Sequence, residues 1–77
     1  MAWQDHIEVN PAIGHGQACI RGTRVPVSVL VDNLADGEPE QDIAAAYRVT
    51  VSDIRAALEY AALLLRERVL PLPKSAA

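Results

Sequence analysis

"DIAAAYRVTVSDIRAAL", residues 42–58, is the stretch on which the fold turns. Ile43 and Ala44 sit on one helix, a short turn follows, and Val49 packs inward. Thr50 and Asp53 then have the T-x-x-D spacing of a capping box, with Asp in place of Glu. Ile54 and Leu58 anchor the helix that this box begins. Two helices joined in this way form a helix-turn-helix, whose second helix is presented to a major groove. Ser52, Arg55 and Ala56 are then best placed to reach DNA, with Arg48 near its backbone. Many such turns carry glycine where this chain has Arg48. A left-handed arginine costs on the order of 1 kcal/mol, so the residues predict a turn of different shape. The competing reading is a helical hairpin built for packing alone. Glu38, Glu40 and Asp42 crowd the earlier helix, and acidic groups repel phosphate.

The neighbouring segments extend the helical pattern in both directions. Val27, Leu30, Val31 and Leu34 recur at i, i+3, i+4 and i+7, predicting a first helix capped by Ser28 and closed by Gly37. Pro39 suits the first turn of the second helix, where Glu38, Glu40 and Asp42 favour the positive end of the dipole. On the third helix Val51, Ile54, Leu58, Ala61, Leu65 and Val69 form one stripe, the predicted core face. Arg66 and Arg68 lie near its C-terminal end, and Pro71 and Pro73 stop it. The opposite side carries Ala56, Tyr60 and Leu63, rimmed by Arg55, Glu59, Arg66 and Glu67. An apolar patch rimmed by charge marks a contact surface, expected to meet a second copy or a partner. The plainer reading is a lone exposed leucine, which needs no explanation.

Upstream, "GQACIRGTRVPV", residues 16–27, reads as short extended segments around a structural turn at Gly22-Thr23. Gly22 supplies positive φ, Thr23 bonds nearby backbone, and Pro26 confines any strand there to an edge or an end. An antiparallel pairing of "IEV" (7–9) with "RVPV" (24–27) is expected. The stretch is not a phosphate cradle. Its "GHG" lacks a strand-to-helix context, and no Gly-Lys-Ser/Thr follows. Arg21 and Arg24 are expected to face DNA or a partner.

With 77 residues, the chain is one domain near the lower limit for a self-sufficient core. It divides into an extended segment (1–27), a three-helix core (28–70) and a flexible tail (71–77). Although 51% of it is apolar, it has no Phe and one Trp, so small side chains fill the core and self-association is expected. A net charge of −3 argues mildly against a free-standing nucleic-acid binder, though distribution matters more than the sum. Cys19 is the sole cysteine, which rules out an internal disulfide and fits a reducing cytoplasm. The first residues lack the pattern of a signal peptide, and no apolar run is long enough to span a bilayer. His6, His15 and Cys19 have no familiar metal-ligand spacing and read as scattered residues. No Ser or Cys has a local base at a recognisable spacing. The expectation is therefore no enzyme, no cofactor and no metal.

These residues also resemble a known family. Gly16, Ile20, Gly22, Thr23, Arg24, Pro26 and Val27, then Leu34, Ala35, Gly37, Ile43, Tyr47, Asp53, Ile54, Ala57, Leu58, Tyr60 and Ala61, are similar to the pattern of the domain-of-unknown-function 433 family. The likeness covers nearly all of the chain except its two ends, and Gly-Thr-Arg-x-Pro-Val is its most specific part. Ala18 departs from the usual proline, and Arg48-Val49 from the common Pro-x-Leu. The resemblance implies a mostly α, trihelical fold, homeodomain-like or winged-helix-related, with a small N-terminal β hairpin. It also implies an antitoxin of a type II toxin–antitoxin pair, a homodimer that binds a PIN-like nuclease toxin and operator DNA. From a different class, a homo-oligomeric interaction module without DNA binding stays open beside it.

Overall fold

The computed structural model describes residues 2–12 and 16–67. A 3-10 turn (Trp3–Asp5) leads into β1 (Ile7–Val9) and β2 (Ala18–Ile20), followed by α1 (Val27–Ala35), α2 (Glu40–Tyr47) and α3 (Val51–Glu67). The fold is thus mostly α with an N-terminal β hairpin. Arg68, Val69, Pro71, Pro73 and the expected tail lie outside the described residues, as does His15.

β1 and β2 pair antiparallel, with Ile7 opposite Ile20, Glu8 opposite Cys19 and Val9 opposite Ala18. The expected partner of "IEV" is therefore corrected: it is "ACI", not "RVPV". The latter reaches only one bridge, Cys19 to Pro26. Pro26 has no N–H to continue a ladder, and Val27 already belongs to α1. The turn between them forms as the residues predict. Gly22 has φ 80°. The Thr23 hydroxyl donates to the Ile20 carbonyl (2.7 Å) and accepts from the Val25 N–H (3.1 Å).

Each helix ends by local chemistry. α1 begins behind Pro26, whose backbone is extended at φ −67°, so Ser28 lies inside the first turn and does not cap it. Gly37 (φ 90°) closes α1 as expected. Its N–H donates to Leu34, and that of Glu38 reaches back to Asn33, which is a Schellman closure. Pro39 caps α2 instead of sitting in its first turn. The turn after α2 overturns the prediction made for Arg48: it is left-handed, at φ 57° and ψ 42°. That conformation brings Val49 inward, where it is buried, and lets its N–H donate to the Ala44 carbonyl at 3.0 Å. Burying a valine and satisfying a helix-end carbonyl offset the strain of the left-handed arginine.

The core gathers Ile7, Ile20, Val27, Leu30, Ile43, Val49, Ile54, Ala56 and Ala57, with Trp3, Tyr47 and Tyr60 packed against it. α3 runs through its middle, touching α1, α2, β1 and the 3-10 turn. Its buried face is not the predicted stripe. Ile54 is buried as expected, but Leu58 is 41% and Leu65 69% exposed, while Ala56 and Ala57 are fully covered. Outside the exposed stripe of Ser52, Arg55, Glu59 and Arg66, α3 is largely apolar, so spacing alone does not select which part of that wide apolar side faces the body.

Candidate functional site

The turn between α2 and α3 is held by one carboxylate. The Asp53 N–H donates to the Thr50 hydroxyl (3.0 Å), and the Thr50 N–H donates to Asp53 Oδ2 (2.9 Å). The predicted capping box therefore forms. Asp53 Oδ1 meets His6 Nδ1 at 2.7 Å, with both side chains mostly shielded. The short contact requires the proton on Nδ1. Burial pushes the Asp53 carboxyl up, but the Thr50 and His6 hydrogen bonds and the His6 charge outweigh it, and the net shift is downward. One side chain thus starts α3 and ties it to the N-terminal segment 47 positions away. Tyr47 makes a second tie, accepting from Asn33 Nδ2 (3.1 Å) to join α2 to α1.

Around this turn, Arg48 and Ser52 are exposed. Arg55 is exposed one turn further along α3, where its Nε donates to Glu40 Oε2 at 3.3 Å. The fold brings these three predicted contacts to one end of the helix pair. Arg24 is exposed too, but on the segment leading into α1 and not on the helix-turn-helix. Arg21 has a different task. Its guanidinium donates to the carbonyls of Gln4 (2.9 Å), Asp5 (3.2 Å) and Ile7 (3.0 Å), with Glu8 at 3.8 Å. It clamps the N-terminal turn to the hairpin, while its side chain stays 53% exposed. No local pattern could have revealed this, because the acceptors are backbone atoms brought near by folding.

The predicted contact patch is also corrected. Ala56 is fully buried, and Tyr60 packs on Trp3 with ring centroids 5.1 Å apart. Leu63 is half-buried beside the same tryptophan. The chain's own N-terminal turn covers part of this side of α3, and Trp3, Tyr60, Leu63 and Leu64 line an open, largely apolar pocket beside it. Two further apolar features are open. One is the outer arc of α3 carrying Leu58 and Leu65. The other is a shallow groove of about 440 Å³ between α1 and α3, lined chiefly by Val27, Val31, Tyr60, Ala61 and Leu64. The run "LLL" at 63–65 was the available signal, since consecutive leucines cannot all face one body.

Among the described residues, no three of His, Cys, Asp and Glu converge as metal ligands, and no helix is long and apolar enough to cross a membrane. Cys19 is buried, with its thiol 3.6 Å from the Gln17 carbonyl.

The profile of a protein family of unknown function, DUF433, matches residues 7–61. The fold is similar to the crystal structure of a DUF433 member from Anabaena variabilis ATCC 29413, at TM-score 0.75 and 35% identity over 83% of this chain. It is also similar to Rv2018 from Mycobacterium tuberculosis, at TM-score 0.65 and 31% identity over 71% of this chain. The chain spans 64% of the first of those proteins and 26% of the second. No curated protein matches it.

Proposed function

We propose that this chain, which belongs to the DUF433 family of proteins of unknown function, is a non-catalytic, antitoxin-like cytoplasmic regulator that binds operator DNA and a PIN-like nuclease toxin. The observation that carries the reading is the α2–turn–α3 unit, with Arg48 and Ser52 exposed where α3 begins. A helix start offers N–H groups and the positive end of its dipole to a phosphate, and Arg48 adds a full charge. The opposing term is the acidic surroundings. Arg55 is engaged by Glu40, and the net charge is −3. One copy therefore binds DNA weakly, and useful affinity comes from several copies together. The same acidity suits a basic nuclease partner.

The test has two arms. The untagged chain is expressed with the tagged product of its adjacent gene, and a stable complex that suppresses nuclease activity is expected. DNA from upstream of its own gene is then titrated by fluorescence anisotropy at low and moderate salt. Affinity should fall steeply, and Arg48→Ala should lower the salt slope by about one. If neither arm responds and the chain still self-associates, the interaction-module reading replaces this one. The exposed Leu58 and Leu65 favour that second reading.

A further inference from the structure

Among the described residues, one arc of α3 is apolar without a cover. At about 100° per residue, Leu58, Ala62 and Leu65 fall within about 60° of one another, continuing the stripe of the buried Ile54 toward the C-terminal half of α3, where it becomes exposed. Leu58 is 41% and Leu65 69% exposed, and Ala62 between them is exposed as well. Glu59 and Arg66, both exposed, lie along one edge of this arc, about 20° apart. A soluble helix keeps its outward face polar, and one that is apolar all round is covered by something. Residues 61–65, "AALLL", are apolar in every direction.

We infer that this arc is the interface between two copies of the chain, with the two α3 helices packed antiparallel about a two-fold axis near Ala62. The patch is its own complement. Leu58 lies four positions before Ala62 and Leu65 three after it, so the two come within about 1.5 Å of the same height and each meets the other in the partner copy. Glu59 lies three positions before Ala62 and Arg66 four after it, so each Glu59 comes beside Arg66 of the second copy, offset by about 1.5 Å. A two-fold contact demands this kind of self-complementarity, in which i meets j and j meets i. The small Ala62 at the axis lets the helices approach closely. The flanking charges then fix orientation. A parallel pairing would bring Glu59 level with Glu59 and Arg66 with Arg66 and lose the match. The arc is separate from Arg48 and Ser52, so this inference stands whether or not DNA or a toxin is bound.

Sedimentation velocity on the full chain over a range of concentrations tests it. A dimer is expected. Leu65→Glu should weaken it by more than about tenfold, because each copy loses a buried leucine contact. Its circular dichroism should stay near that of the parent, since Leu65 is 69% exposed on its own chain, while its melting midpoint should lose the parent's dependence on concentration. Glu59→Arg and Arg66→Glu should each weaken the dimer by about fivefold, and the double variant should recover it. A monomer at every concentration overturns the inference. So does a dimer indifferent to Leu65→Glu, or one broken instead by Val31→Glu, which would move the contact to the α1–α3 groove. Charge reversals that fail to rescue one another overturn the antiparallel register.

Discussion

Arg48 carries opposite demands on stability and on the proposed DNA contact. Its left-handed backbone is strained for any residue with a Cβ, yet Val49 cannot turn inward without it. Glycine would adopt the same turn without strain, at some loss of unfolded-state restriction. Arg48→Gly should therefore stabilise the fold by about 0.5–1 kcal/mol and raise the melting midpoint by about 3–6 °C. On the proposed regulator reading, the same variant should bind DNA less tightly, through loss of one cation. A lower melting point would show that the turn relies on the arginine side chain. Asp53 gives a second prediction at this scale, with its sign set by linkage. Its carboxyl is held below the ordinary range, so its contribution is complete at neutral pH. That contribution fades as pH falls past the unfolded-chain value of about 3.9 and on through the lower folded value. Asp53→Asn should lose about 1–2 kcal/mol at pH 7, as a cap and a His6 partner weaken. Urea unfolding at pH 7 and again below pH 3 checks it, and a gap equally wide at both pH values would refute the charge argument.

At the scale of the element, α3 shows what local pattern reveals and what it hides. Its start was legible because a capping box is short-range chemistry between Thr50 and Asp53, and Gly37 marked the end of α1 in the same way. Its orientation was not legible. Two overlapping apolar arcs fit the spacing, and the choice depends on Trp3, which lies nearly sixty positions from Tyr60 in the chain. The sides partly exchange roles as a result: Leu58 and Leu65, expected in the core, are open, and Ala56, expected to meet a partner, is fully buried. The strand partner was hidden for a related reason, since three-residue strands carry too little alternation to specify a mate. Arg21 and the His6–Asp53 contact join residues far apart in sequence, and only the finished fold brings them together. Trp3 is consequently the lid on α3. Trp3→Ala should destabilise the protein by about 2–3 kcal/mol, less than a fully buried tryptophan because Trp3 is only half-covered. Chemical unfolding followed by circular dichroism measures this. A change below about 0.5 kcal/mol would mean that the N-terminal turn contributes little to holding α3.

For the whole molecule, the antiparallel dimer fixes a length. Ser52 lies ten positions before Ala62, and each helical residue rises about 1.5 Å. The two Ser52 residues of a dimer centred at Ala62 are then about 30 Å apart along the paired helices. One turn of B-DNA separates successive major grooves on one face by about 34–36 Å. The two ends that carry Arg48 and Ser52 are thus spaced for neighbouring grooves, and the weak charge of one copy is doubled on one DNA face. If both the regulator reading and the dimer hold, the preferred site contains inverted half-sites centred about 10 base pairs apart. Inserting about 5 base pairs would turn the second half-site to the far side of the duplex and should lower affinity about as far as removing that half-site. Leu65→Glu should abolish this spacing preference and leave only the weak binding of a single copy. Anisotropy titrations of the two spacings with both proteins decide the matter. Equal affinity for the two spacings by a protein that sediments as a dimer would separate the dimer from DNA reading, leaving the α3 contact as an assembly surface alone.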